Sequence, residues 1–116
     1  KRDEISALMK SGKSFAKHPV RVVYNHVAAE APEVKVFFSA PKRNFKRAVD
    51  RNRIKRLMKE AYRLNKSILS DTARASGKTI HVAFLFTGRE VPVYNEVQDK
   101  IILLLQRFQT EIQSGS

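Results

Sequence analysis

Between Ala48 and Leu69 apolar residues recur every three or four positions, and this one stretch constrains the fold more than any other. At about 100° per residue, Ile54, Leu57, Met58, Ala61 and Ile68 share one arc, and Arg51, Asn52, Lys55, Arg56, Lys59, Arg63 and Lys66 are placed nearly opposite. Such a helix must bury its apolar arc against a second layer, which leaves the cationic arc facing out. Asp50 near the start can cap the helix or offset its dipole, and Gly77 sets its latest end.

The segments on either side change period. Val20 to Ala28 alternates, with Val20, Val22, Tyr24 and His26 on one face and Arg21, Val23, Asn25 and Val27 on the other, so it predicts a strand. Glu30-Ala31-Pro32-Glu33 predicts a turn, and Val34 to Ala40 a second strand paired with the first as a hairpin. Pro41 ends it, and Lys42 to Arg47 reads as a basic loop. Thr79 to Thr87 predicts a strand apolar on both faces and therefore central. Asn95 followed by Gln98 resembles a capping box, and Val97, Ile101, Leu104, Leu105, Phe108 and Ile112 form the stripe of a last helix. A short helix is expected from Glu4 to Gly12, on the spacing of Ile5, Leu8 and Met9. The order α-β-β-α-β-α predicts an α+β two-layer sandwich: one mostly antiparallel sheet with helices packed on it. With 116 residues and no internal boundary, the chain is expected to be a single domain over residues 1–116, with Ser114-Gly115-Ser116 a linker-like tail.

Charge points to the partner. Lys and Arg number 23 against 11 Asp and Glu, a net charge of +12. Between Lys42 and Lys66 there are eleven cations against only Asp50 and Glu60, a net +9 in about a fifth of the chain. Like charges one helical turn apart repel by a few tenths of a kcal/mol per pair, so such a face makes sense when a polyanion neutralises it. A solvated face without a partner would mix Glu with Lys. A lipid-surface helix would carry Trp or Phe on its apolar arc, and this one carries neither. The absence of cysteine removes disulfides, thiolate metal sites and cysteine nucleophiles, and suits a reducing interior. No apolar run approaches the roughly 18 residues of a membrane span, and Lys1 to Glu4 is charged rather than signal-like, so the cytoplasm is the expected location. His18, His26 and His81 are scattered, and no P-loop, nucleophile motif or carboxylate cluster stands out, so neither a metal site nor a catalytic residue is assigned.

The triplet Arg51-Asn52-Arg53 is chemically more specific than the charge around it. Two guanidinium forks and an amide can hold phosphate oxygens and a base edge together. The run Arg51-Asn52-Arg53-Ile54-Lys55-Arg56-Leu57, continuing to Glu60-Ala61-Tyr62-Arg63, closely resembles the signature of the bacterial ribonuclease P protein subunit. Ser39-Ala40-Pro41-Lys42-Arg43, Ala48-Val49 and Tyr94-Asn95-Glu96 agree with it in order.

That resemblance implies a protein that leaves hydrolysis to a catalytic RNA and helps it remove the 5′ leader of precursor tRNA. Mg²⁺ would then be held by the RNA and the substrate, and the protein would be one copy in a 1:1 ribonucleoprotein with no membrane. It also implies a left-handed βαβ crossover through the basic helix, against the usual right-handed rule. Carried over by position, Lys42, Arg43, Lys46, Arg47, Arg51, Asn52, Arg53, Lys55, Arg56, Lys59 and Arg63 are the implied RNA contacts. Ile5, Met9, Phe15, Tyr24 and Phe38 are the implied leader groove, where aromatic rings would stack on bases. Ile5 and Met9 stand where the family usually has aromatics, and the loop through Asn44-Phe45 lacks the usual glycine. Two other readings share the charge: a purely structural RNA binder such as a ribosomal protein, and a DNA regulator with a recognition helix. The first would not require the triplet. The second would need a turn-and-helix pair that is not present in the pattern.

Overall fold

The computed structural model describes residues 13–28 and 30–113. Its strands are β1 (Lys13–Lys17), β2 (Val20–Ala28), β3 (Val34–Ser39) and β4 (Lys78–Phe86); its helices are α1 (Ala48–Asn65), α2 (Ser67–Ser76) and α3 (Tyr94–Gln113). The expected helix over Glu4 to Gly12 lies outside the described residues.

The sheet runs β1-β2-β4-β3, with β1/β2 and β2/β4 antiparallel and β3/β4 parallel. This is the expected mostly antiparallel sheet with helices on it, but its pairing corrects one expectation. The hairpin is β1 with β2, turning at His18-Pro19 through a cis peptide; β2 and β3 are separated by β4. In β1 only Phe15 is buried, and a strand with one core residue in five carries almost no alternating signal. β4 is central as expected, and β3 reaches it through α1 and α2, which supplies the crossover between parallel neighbours.

The three described helices cover one sheet face. Val22, Tyr24, Ile80, Val82, Phe84 and Phe86 meet Ile54, Met58, Leu69, Ile101, Leu104, Leu105 and Phe108 in a single core. The α3 stripe is fully buried where its side chains are described, from Val97 to Phe108. Val97 N–H donates to Val93 O, so the first turn closes two residues before Asn95, and the capping box is not the start of this helix. The opposite sheet face holds a smaller cluster of Val23 and Ala83 with Phe37 and Leu85 against them.

The basic helix is also shorter than its periodicity suggested. Asn65 Nδ2 bonds back to Ala61 O at 2.9 Å, and the chain breaks at Lys66 before restarting as α2. Gly77 then ends α2 in the left-handed region at φ 68°, its N–H turned to the carbonyls of Ala73 and Arg74. A residue with a Cβ would be strained there. Among the described residues, no helix is long and apolar enough to cross a membrane.

Candidate nucleic-acid interface

Helix α1 buries Ile54, Met58 and Ala61, and this packing orients everything else on it. Asn52, Arg56, Lys59 and Arg63 are exposed, as the wheel required; Arg53, which the wheel left off that arc, is exposed too, and Lys55 is half-buried. Two surface grooves share Asn52 and Arg56. One, of about 580 Å³, is lined by Val49, Asn52, Arg53, Arg56 and Leu57; the other, of about 310 Å³, by Asn52, Lys55, Arg56 and Lys59. Val49 is 59% exposed, so the first groove presents apolar surface between guanidinium groups. A sugar or base edge fits such a mixture as well as a phosphate does. Sequence periodicity singled out the cations and passed over Val49, although the same wheel puts it on the outward side.

Arg51 departs from that arc. Seven residues are 700°, so Arg51 lies only about 20° from the buried Met58, on the packing flank rather than opposite it. It is half-buried, and its guanidinium donates to Phe45 O at 2.6 Å and Lys46 O at 3.0 Å. The triplet is therefore split, with one guanidinium turned to the preceding loop and Asn52 and Arg53 turned to solvent.

That loop is built on an anchor. Phe45 is buried against Phe86, with ring centroids 5.8 Å apart. The N–H groups of Asn44 and Phe45 both donate to Pro41 O, and Asn44 Nδ2 reaches Gly88 O at 3.4 Å. Lys42, Arg43, Lys46 and Arg47 all stay exposed around this anchor. Arg47 is the N-cap of α1 without a side-chain cap bond, and Asp50 sits in the first turn, where it can act on the dipole but does not cap.

Arg63 is engaged by Glu60 through two bonds, Nε to Oε1 at 2.9 Å and Nη2 to Oε2 at 2.7 Å. This fork pulls the Glu60 carboxyl below the usual carboxylate range and raises the Arg63 guanidinium further. Both groups are exposed, so the pair does little for stability, least of all at high salt. By linkage its small contribution is present above the ordinary Glu value and is lost as pH falls through the depressed one. Glu60→Gln is expected to leave the unfolding midpoint at pH 7 within error and to tighten RNA binding severalfold, because it frees Arg63 and removes a like-charged neighbour of phosphate. Anisotropy titrations of both proteins at one salt concentration check this.

Of the expected leader groove, the structure describes Phe15, Tyr24 and Phe38. Ile5 and Met9 lie outside the described residues. Phe15 (8% exposed) and Tyr24 (2%) are packed edge-on with Phe108, the ring centroids 5.1 and 4.8 Å from it, and Arg107 lies over Phe15 at 4.7 Å. Burial raises the Tyr24 phenol, an effect reinforced by Glu111 and opposed by Arg107. Beside it, His26 is half-buried and held below the usual imidazole value by burial, then by Lys78 and Lys13. Phe38 belongs to another place. The register aligns Phe15, Val22, Phe84 and Phe38 in one row across the sheet. The two outer rings are thus three strand spacings apart, roughly 14 Å. Phe38 stacks on Phe84 and meets Tyr62 instead. Phe15 and Tyr24 are core and Phe38 is partly buried against it; alternation marks such a face without saying whether a helix covers it.

Elsewhere, a cavity of about 420 Å³ at the sheet end is lined by His18, Pro19, Phe86, Thr87, Gly88, Arg89, Glu90 and Glu96. Its mixed charges give it no claim on a polyanion. Among the described residues no three His, Asp or Glu side chains are grouped to hold a metal ion. The acids on α1 are Asp50 and Glu60, ten residues apart, and Glu60 is engaged by Arg63.

Comparison with known proteins decides the family: residues 1–108 match the family model described as Ribonuclease P. The chain belongs to the ribonuclease P protein family. It is 41% identical over 101 residues to the ribonuclease P protein component of Porphyromonas gingivalis, covering 84% of this chain and 72% of that one. With its counterpart in Chlorobium phaeobacteroides the identity is 35% over 116 residues, covering 90% and 80%. Two solved structures of the family share the fold. The ribonuclease P protein of Thermotoga maritima superimposes with a TM-score of 0.73 at 20% identity, covering 91% of this chain and 92% of that one. That of Staphylococcus aureus gives 0.70 at 19%, covering 91% and 89%. At such identities the likeness concerns the fold, and the family assignment rests on the sequence. Ribonuclease P is a ribonucleoprotein of tRNA processing, and this chain is of the type that forms its protein component.

Proposed function

We propose that this protein binds the catalytic RNA of ribonuclease P and the 5′ leader of precursor tRNA, and so assists the RNA in releasing the leader. The observation that carries the reading is the outward face of α1, where Asn52, Arg53, Arg56 and Lys59 share two grooves beside a tethered basic loop. Lys42, Arg43, Lys46 and Arg47 extend this surface, with Lys55 at its flank and Arg63 available once Glu60 yields it. Guanidinium forks and an amide at this density suit phosphate oxygens and base edges together, which a structural RNA binder would not need.

Hydrolysis is assigned to the RNA, and the Mg²⁺ it requires to the RNA and the substrate, because the surface around α1 offers cations suited to phosphate and, among the described residues, no grouped carboxylates suited to a metal ion. Phe15 and Tyr24 form the floor of the leader side rather than its stacking surface, and Ile5 and Met9 remain proposed leader contacts on the family pattern alone. The protein acts as one copy in a 1:1 complex in the cytoplasm.

Reconstitution tests this. The chain is added to a ribonuclease P RNA transcribed from Porphyromonas gingivalis at a Mg²⁺ concentration that barely supports the RNA alone. Release of the 5′ leader from precursor tRNA is expected to rise by at least tenfold, with tighter binding of precursor than of mature tRNA. A folded protein that leaves the rate unchanged would refute the reading. Unselective binding to both tRNAs would instead favour the purely structural RNA binder.

A further inference from the structure

We infer that Arg51 is a positioning residue: it latches the basic loop of residues 42–47 to α1, and it is Asn52 and Arg53 that reach the RNA. The inference rests on the functional reading above, but its observations are separate from it. Arg51 lies on the packing flank of α1, half-buried, one heptad before Met58. Its Nη1 donates to two backbone carbonyls, at 2.6 Å to Phe45 and 3.0 Å to Lys46. These carbonyls belong to the residue whose ring anchors the loop and to the cation that follows it.

The chemistry explains the choice of arginine. The two hydrogens on Nη1 lie in the guanidinium plane and point at two carbonyls in fixed directions, while an ammonium is a compact point charge whose donors rotate on a flexible stem. The loop has no regular structure, and its other ties are the Pro41 turn, the weak Asn44 to Gly88 bond and the Phe45 ring. Without the Arg51 side chain, Phe45 and Lys46 lose the two bonds that tie their carbonyls to α1, while Arg47 keeps its own through a carbonyl that accepts from the N–H groups of Asp50 and Arg51. The cations around this stretch, Lys46 first and Lys42, Arg43 and Arg47 with it, would then be held less firmly and would be fixed more fully when RNA binds. Fixing backbone at that moment reduces affinity, because each residue ordered costs entropy.

Salt dependence separates the two roles. A cation that neutralises a phosphate releases counterions, so removing it lowers the slope of log K against log salt by about 1. A cation that holds a loop changes affinity and leaves the slope nearly as it was. Arg51→Ala is therefore expected to weaken binding to the Porphyromonas gingivalis ribonuclease P RNA on the order of tenfold, the cost of ordering about one more residue, with the slope unchanged. Arg53→Ala should lower the slope by about 1. The loss from Arg51→Ala should also shrink below about twofold when Lys42, Arg43, Lys46 and Arg47 are all glutamine, because nothing is left to position; the loss from Arg53→Ala should persist in that background.

In the free protein, hydrogen exchange at the amides of residues 44–47 should quicken in Arg51→Ala and not in Arg53→Ala, a readout independent of any RNA. Arg51→Lys keeps the charge and loses the fixed, planar donors of Nη1; it should fall between wild type and Arg51→Ala, and it serves as the test should the alanine variant not fold. A slope reduced by about 1 with an equal loss in both loop backgrounds would make Arg51 a phosphate contact and overturn the inference. So would full binding by Arg51→Lys, or loop exchange that does not change. Failure of the wild-type protein to bind the RNA would sink the functional reading instead, while the exchange data would still decide whether the latch exists.

Discussion

Arg53→Ala, Arg56→Ala and Lys59→Ala combined in one protein should weaken binding to ribonuclease P RNA on the order of 100-fold at 0.15 M salt. Each phosphate contact contributes roughly a factor of five at that ionic strength through released counterions, so three give about that loss, and the log-log salt slope should fall by about 2 to 3. All three side chains are exposed on α1. They hold no core position, and their removal relieves repulsion along the helix. The urea midpoint of the triple variant is therefore expected to match or exceed that of the wild type. Filter binding at four salt concentrations, beside urea unfolding, checks both halves. A normal slope would mean that RNA docks on another surface.

The contrast between affinity and stability in that variant follows from how the chain divides its labour, and much of that division is legible from residues alone. Helix α3 is the plainest case. Five apolar residues from Val97 to Phe108 recur at helical spacing, and all five are fully buried. The outward arc of α1 is nearly as plain, since burying Ile54, Met58 and Ala61 leaves Asn52, Arg56 and Lys59 no other direction.

What escaped the pattern depended on contacts between distant segments. The hairpin partner of β2 is β1, whose five residues bury only Phe15, and periodicity does not weigh a hairpin against a crossover. The role of Phe45 comes from Phe86, and that of Arg51 from two carbonyls, neither of which leaves a mark in local spacing. Charge counting likewise treated Arg63 as a free cation, although Glu60 three residues earlier forks it. Here the signal was present, because an acid and an arginine at i,i+3 share a helix face.

The same lesson bears on the aromatic residues of the leader side, where the second large effect is expected. Phe108→Ala should destabilise the protein by about 3–5 kcal/mol, the usual range for removing a buried aromatic ring. Phe108 is fully buried and touches both Phe15 and Tyr24 edge-on, so its loss opens a cavity and unseats two rings that have no other aromatic support on α3. Domains of this size are stable by only about 5–15 kcal/mol, so the variant should unfold at a much lower urea concentration with an unchanged m-value. The functional consequence follows from the packing. If Phe15 and Tyr24 are a floor, the variant should lose its preference for precursor over mature tRNA in step with the fraction unfolded, and an excess of protein should restore it. If they were an open stacking surface, the preference would vanish while the protein remained folded, and no concentration would bring it back. Binding to both tRNAs under conditions where far-ultraviolet circular dichroism shows the native fold separates the two. On the geometry of Phe15, Tyr24 and Phe108, affinity should follow the folded fraction.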